Sequence, residues 1–214
     1  MIWWPIPPPG RRKVTLKTLV PFSVAVVLVL LSGRLRAQDR TPAVRYKNWD
    51  VSFWVAGATG EENTNSFSEA QILSAAFSLG KSLTGEIGDG WKRGDLEYTF
   101  NIIPLFVQFT PQRIYGIGFE PLALRWNSRL HTGRVSPFIE LAGGGLHTNT
   151  NLPAGDTSDF NFTARGGGGI QIVLTERQAL DLACDWWHIS NANLGDRNPE
   201  FNGIHVRLGY HWFK

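Results

Sequence analysis

The chain has 214 residues and a formal net charge of +3, with 43% hydrophobic and 18% charged residues. Much of the positive charge lies in the N-terminal leader, so the composition predicts no nucleic-acid partner. The single cysteine, Cys184, excludes an internal disulfide and a multi-cysteine metal site, and we expect it to be a small apolar strand residue. The histidines show no metal-ligand spacing, and neither a metal nor a cofactor is predicted.

The first 37 residues have the pattern of a secretory signal peptide. A basic region containing Arg11, Arg12 and Lys13 precedes an almost unbroken apolar stretch over 19–31, and Ala37 is suited to cleavage. This stretch is short for a spanning helix, which needs about 20 apolar residues, and an uncleaved membrane anchor is the alternative. The remaining residues, 38–214, have the length of one domain.

The sequence after the leader is a series of segments in which apolar and polar residues alternate, as they do in β-strands. Eight such segments are predicted: one from Trp49, then 71–81, one around 96–106, 113–126, 135–147, 160–174, 178–190 and 203–213. Strands with a wholly apolar face imply a closed sheet in a bilayer, because open edges there would lack hydrogen-bond partners. The predicted fold is therefore all-β, an eight-stranded antiparallel transmembrane β-barrel.

Several features of individual strands carry further expectations. In the third segment, the alternation predicts that Phe106 shares the outer face with Ile102. Pro121 and Pro137 lie inside predicted strands and predict β-bulges or shifted boundaries there. Glycine clusters at 143–145 and 166–169 lack the Lys-Ser/Thr pair of a phosphate loop, so we interpret them as packing positions.

The seventh segment, 178–190, alternates so clearly that its two faces can be assigned. Leu182, Trp186, His188 and Ser190 share one face, and acidic residues such as Asp185 lie on the other. In an outer-membrane barrel the apolar face contacts lipid and the acids line the lumen. With both termini in the periplasm, this strand ends at the cell surface, which predicts a base and a nucleophile at the depth of the outer leaflet.

The spacing of His188 and Ser190 suits ester hydrolysis. Residues two apart on one strand face have alpha carbons roughly 6–7 Å apart, so the imidazole can take the serine proton as the hydroxyl attacks a carbonyl. Asn191 is a candidate oxyanion donor through its amide or backbone N–H. Strand parity makes Glu200 the carboxylate best placed to meet His188 across the last strand pair, and Asp196 in the preceding loop is an alternative.

Two non-catalytic interpretations stand beside this one. The aromatic and polar residues near the end of the seventh strand are also typical of an interfacial girdle, in a barrel with a structural or adhesion role. A soluble lipocalin-like carrier is the other alternative, and it requires apolar residues facing inward and charged residues facing outward.

The run His188-Ile189-Ser190-Asn191-Ala192-Asn193-Leu194, followed by Asn198-Pro199 and a closing aromatic strand, resembles the lipid A 3-O-deacylase family of outer-membrane enzymes, often labelled acyloxyacyl hydrolases. The resemblance implies an outer-membrane location and a lipopolysaccharide substrate that loses the 3-hydroxyacyl chain ester-linked to lipid A. It also implies that His188 is the base, Ser190 the nucleophile and Asn191 an oxyanion donor.

One part of the resemblance leaves the acid open. The family glutamate lies slightly nearer the chain end than Glu200, and Asn202, Ile204 or His205 would align with it. The acid is therefore Glu200 or a substitute such as Asn202 or Asp196. The acyl-chain specificity and the formation of a homodimer are also left open by the sequence.

Overall fold

Eight antiparallel strands close into a barrel in which each strand pairs with its sequence neighbours and the last pairs with the first. The computed structural model describes residues 49–60, 70–129, 134–153 and 157–214, and the predicted signal peptide lies outside these residues. The strands are β1 (Trp49–Gly60), β2 (Gln71–Ser82), β3 (Gly94–Thr110), β4 (Ile114–Ser128), β5 (Val135–Thr148), β6 (Phe160–Thr175), β7 (Gln178–Ser190) and β8 (Phe201–Phe213). The prediction of an eight-stranded closed barrel is confirmed.

The outer wall of the barrel is apolar and its interior is polar, as the strand alternation predicts. On β7, Leu182 and Trp186 are exposed, whereas Asp181 and Asp185, each of which directly precedes one of them, are buried. Exposed leucine, isoleucine, valine and phenylalanine side chains recur on the outside of the other strands. This is the reverse of the arrangement that a soluble lipocalin-like carrier requires, and it suits a wall that contacts lipid.

The described residues include one short 3-10 helix, Gly90–Lys92, and among them no helix is long and apolar enough to cross a membrane.

The interior has two halves. At the end opposite the C-terminus, here called the distal end, an apolar cluster fills the lumen, and the ring of Trp187 lies edge-on to those of Phe106 and Phe201. Toward the other end the lumen is filled by buried ion pairs, among them Arg207 with Asp185 at 2.7 Å. A remaining cavity of about 20 Å³ in the polar half has room for about one water molecule. The lumen is therefore closed to a lipid.

The strand register shifts at several places, and two of these shifts bear on the predictions. The pairing of β3 with β4 shifts between Ile103 and Phe106, which turns the Phe106 side chain inward, where it is 1% exposed. The prediction that Phe106 faces outward was wrong, because each inserted residue reverses the parity of the strand. The bulge predicted at Pro121 is confirmed by a shift between Phe119 and Leu122, but Pro137 pairs with Ile170 without one.

Candidate active site

The candidate site lies on the outer wall at the distal end of β7. His188 and Ser190 are half-buried on the same outward face of this strand. Across the β6 side they pair with Ala164 and Phe162, and across the β8 side His188 pairs with Asn202. The continuous hydrogen-bonded sheet fixes the backbone beneath both side chains, so the pair is set on a rigid element rather than on a loop.

The imidazole of His188 connects two side chains. Its Nε2 atom lies 2.9 Å from Ser190 Oγ, and its Nδ1 atom lies 2.8 Å from Asn202 Oδ1. A carbonyl oxygen can only accept a hydrogen bond, so the Asn202 contact requires that Nδ1 carries the proton. Nε2 of the neutral ring is then the acceptor for the Ser190 hydroxyl, which is the arrangement that general-base catalysis needs.

Trp186 packs against the histidine on the same face of β7. The two rings are stacked with centroids 5.7 Å apart and an interplanar angle of 14°. The Trp186 side chain is itself 47% exposed, and its ring lies against one face of the imidazole. Together with the bond to Asn202, this contact restricts the ring to one orientation toward Ser190.

Asn191, the predicted oxyanion donor, is buried, and its side-chain amide and its backbone N–H each donate one hydrogen bond inside the β7–β8 loop. Its side-chain amide donates to the Arg197 carbonyl at 2.8 Å, and its backbone N–H donates to Asn198 Oδ1 at 2.9 Å. Its own Oδ1 accepts the Asn193 N–H at 2.9 Å. These bonds hold the loop together directly after the serine.

The same loop leaves two other donors near the serine in sequence. Ala192 and Asn193 have left-handed backbone conformations, with φ of 51° and 64°. Within the described part of the chain, the Ala192 N–H has no acceptor. The side-chain nitrogen of Asn198 has none either, whereas the side-chain oxygen of the same residue accepts the Asn191 N–H. Neither group was predicted from the sequence to take part in catalysis, although Asn198 belongs to the run that carries the family resemblance.

Glu200, the predicted acid, lies one side chain away from the imidazole. Its Oε2 atom accepts a hydrogen bond of 3.3 Å from Asn202 Nδ2, and Asn202 in turn contacts His188. Glu200 was predicted to meet His188 across the last strand pair, but the register pairs Asn202 directly with His188. Asp196, the alternative acid, is exposed in the loop and has no side-chain partner among the described residues.

The structure groups no three His, Cys, Asp or Glu side chains into a metal site within the residues that it describes. His205 instead faces the lumen, where its ring nitrogens lie 3.3 Å from Ser74 Oγ and 3.5 Å from Asp185 Oδ2.

The closed sheet and the apolar outer wall define an integral membrane barrel, which carries the Ser190–His188 pair on its outer face. The family model of lipid A 3-O-deacylase (PagL) matches residues 76–211, and the chain belongs to this family. It is an outer-membrane protein. The comparison with curated proteins gives no match.

Two solved structures share the fold. The crystal structure of the outer membrane enzyme PagL is 16% identical, with a TM-score of 0.52 over 75% of this chain and 97% of that chain. The crystal structure of Neisserial surface protein A (NspA) is 14% identical, with the same TM-score of 0.52 over 78% of this chain and 97% of that one. The barrel alone therefore does not distinguish an enzyme from a surface protein, and the residues of the site must carry that distinction.

Proposed function

We propose that this protein is a serine esterase that removes the ester-linked 3-hydroxyacyl chain at position 3 of lipid A. The observation that carries the proposal is the 2.9 Å contact between Ser190 Oγ and His188 Nε2 on the outer wall of the barrel. Membership of the lipid A 3-O-deacylase family supports the choice of substrate.

The hydrolysis proceeds in two steps. Ser190 Oγ attacks the ester carbonyl while its proton passes to His188 Nε2, and the tetrahedral intermediate collapses as the imidazolium returns this proton to the departing sugar oxygen. Water then attacks the acyl-serine with His188 as base, which releases the 3-hydroxy fatty acid and restores the hydroxyl. No metal or cofactor takes part in either step.

The negative charge that develops on the carbonyl oxygen needs nearby donors. We assign this role to the Ala192 N–H and the Asn198 amide, because both lie in the loop after Ser190 without an acceptor in the described part of the chain. Asn191 supports them by fixing the loop, since its own donors bind Arg197 and Asn198.

The substrate reaches the site sideways through the outer leaflet. His188 and Ser190 face outward, and the lumen behind them is filled by the apolar cluster around Trp187. A lipid with its acyl chains in the bilayer and its sugar at the surface can present an ester at the distal end of the wall without entering the barrel.

The direct test is an assay of the purified, refolded barrel in detergent micelles. We expect 3-hydroxy fatty acid to be released from lipopolysaccharide and no fatty acid to be released from phosphatidylethanolamine. Ser190→Ala and His188→Ala should each lower the rate by about a thousandfold or more, since each removes a member of the reacting pair.

The matched control is Cys184→Ala, which changes an exposed residue on the same face of the same strand and should leave the rate unchanged. Release from phosphatidylethanolamine alone would contradict lipid A as the substrate. A folded barrel that releases nothing from either lipid would contradict catalysis and favour a structural or adhesion protein.

A further inference from the structure

The position opposite His188 holds an amide where a serine hydrolase commonly has a carboxylate. Asn202 is buried, and its Oδ1 atom lies 2.8 Å from His188 Nδ1. A carboxylate at this position would hold the imidazole in the correct tautomer and stabilise the imidazolium that forms. An uncharged amide stabilises the imidazolium only weakly, so Asn202 contributes mainly by holding the imidazole in the correct tautomer.

An amide holds the correct tautomer in only one of its two orientations. If Asn202 turned its NH₂ group toward His188, Nδ1 would have to accept, and the proton of the neutral ring would move to Nε2. Nε2 could then no longer take the proton of Ser190. Rotation of the Asn202 amide by half a turn would therefore convert the active tautomer of His188, with its proton on Nδ1, into the inactive one, with its proton on Nε2.

The side chain of Glu200 selects between these orientations. Its Oε2 atom lies 3.3 Å from Asn202 Nδ2, and an ionised carboxylate has only acceptors to offer. The amide nitrogen is therefore drawn toward Glu200, and the oxygen of the same group is left facing the imidazole. Hydrogen bonds to a charged acceptor are also stronger than those between neutral groups, which favours this orientation further.

We infer that Glu200 is a positioning residue that acts through Asn202: it fixes the amide so that His188 keeps its proton on Nδ1 and offers Nε2 to Ser190. The inference rests on the proposed function for its effect on rate. Two side chains then take the place of the single acid: the Asn202 amide contacts the ring, and the Glu200 carboxylate orients the amide.

The rate effects form a double-mutant cycle. Glu200→Ala should lower kcat on the order of ten- to a hundredfold with KM nearly unchanged, because the variant removes the carboxylate that orients the amide and leaves the surface that holds the acyl chain unaltered. Asn202→Asp should be at least as active as the wild type, since its carboxylate contacts Nδ1 directly. In the Asn202→Asp background, Glu200→Ala should then cost little, because no amide remains to be oriented.

The control is Asp196→Ala, which removes a carboxylate from the same loop that has no partner among the described side chains. It should keep the wild-type kcat. Equal losses from Glu200→Ala in both backgrounds, or a loss from Asp196→Ala as large as that from Glu200→Ala, would overturn the inference.

A spectroscopic measurement separates this inference from the proposed function. ¹⁵N NMR of His188 is measured in the inactive Ser190→Ala barrel, at a pH at which the imidazole is neutral, and should show the proton on Nδ1. The double variant with Glu200→Ala should show a mixture of the two tautomers. This change would support the inference even if no lipid were hydrolysed. An unchanged tautomer after Glu200→Ala would overturn it even if the barrel were a good esterase.

Discussion

Arg165 on β6 joins acidic side chains from three other strands inside the barrel. Its guanidinium lies 2.9 Å from Glu120 Oε2, 2.5 Å from Glu140 Oε1 and 3.6 Å from Asp185 Oδ2, and its side chain is 1% exposed. Asn101 Nδ2 donates to the same Glu120 carboxylate at 2.7 Å. Arg207 also pairs with Glu140 and Asp185, but among the described residues Arg165 is the only cation paired with Glu120, so this buried carboxylate depends on Arg165 for neutralisation.

We therefore expect Arg165→Ala to lower the free energy of unfolding by about 3–5 kcal/mol, the usual cost of leaving a buried charge without its partner. Urea unfolding of the barrel in lipid vesicles measures this difference. Arg113→Ala, an exposed arginine before β4, is the control and should change the value by less than about 0.5 kcal/mol. A similar small effect of Arg165→Ala would contradict the role given to this arginine.

At the scale of strands, the backbones of β4 and β5 lie close together beside the bulge at Pro121. A Cβ atom added at Gly144 would lie 1.9 Å from the Phe119 carbonyl oxygen and 2.6 Å from the Glu120 alpha carbon. Both are backbone atoms of the facing strand, so they cannot move aside as a flexible side chain would. At Gly143 the nearest atom is the Thr163 carbonyl oxygen at 3.5 Å, an ordinary contact.

Gly144→Ala should consequently destabilise the barrel by about 1–3 kcal/mol, the usual cost of overpacking, and Gly143→Ala should not. The two substitutions have the same effect on the entropy of the unfolded chain, so their difference reports the close approach of the strands. Urea midpoints of the two variants provide the comparison. Equal midpoints would show that β4 can move away from β5 without loss.

The strands also show which features the sequence can predict. The alternation of β7 is uninterrupted, so its bounds, its lipid-facing side and the pairing of His188 with Ser190 could all be read from residue spacing. Phe106 was placed on the wrong face because a bulge reverses the parity there, although Pro104 inside the same strand is a residue that marks such bulges. The pairing of His188 with Asn202 rather than Glu200 depends on the cross-strand register, which a ten-residue loop between β7 and β8 does not determine.

At the scale of the whole molecule, the residues that stabilise the barrel and the residues of the candidate site lie on opposite sides of the wall. Ion pairs and the apolar cluster around Trp187 fill the interior, and the reactive groups lie on the outer surface of the wall. The interior can therefore be rigid and closed while the site remains open to a substrate that diffuses in the membrane. This arrangement gives the enzyme that we propose access to lipid A and no access to water-soluble esters through the lumen.

Mass spectrometry of lipid A tests this account most directly. Cells with a lipopolysaccharide outer membrane would express either the wild-type chain or Ser190→Ala, and folding of both in the outer membrane would be checked by the heat-dependent shift of the barrel on gels. We predict that lipid A loses the mass of one 3-hydroxyacyl chain only when the serine is intact. Identical lipid A spectra from the two strains, with both proteins folded, would contradict the account.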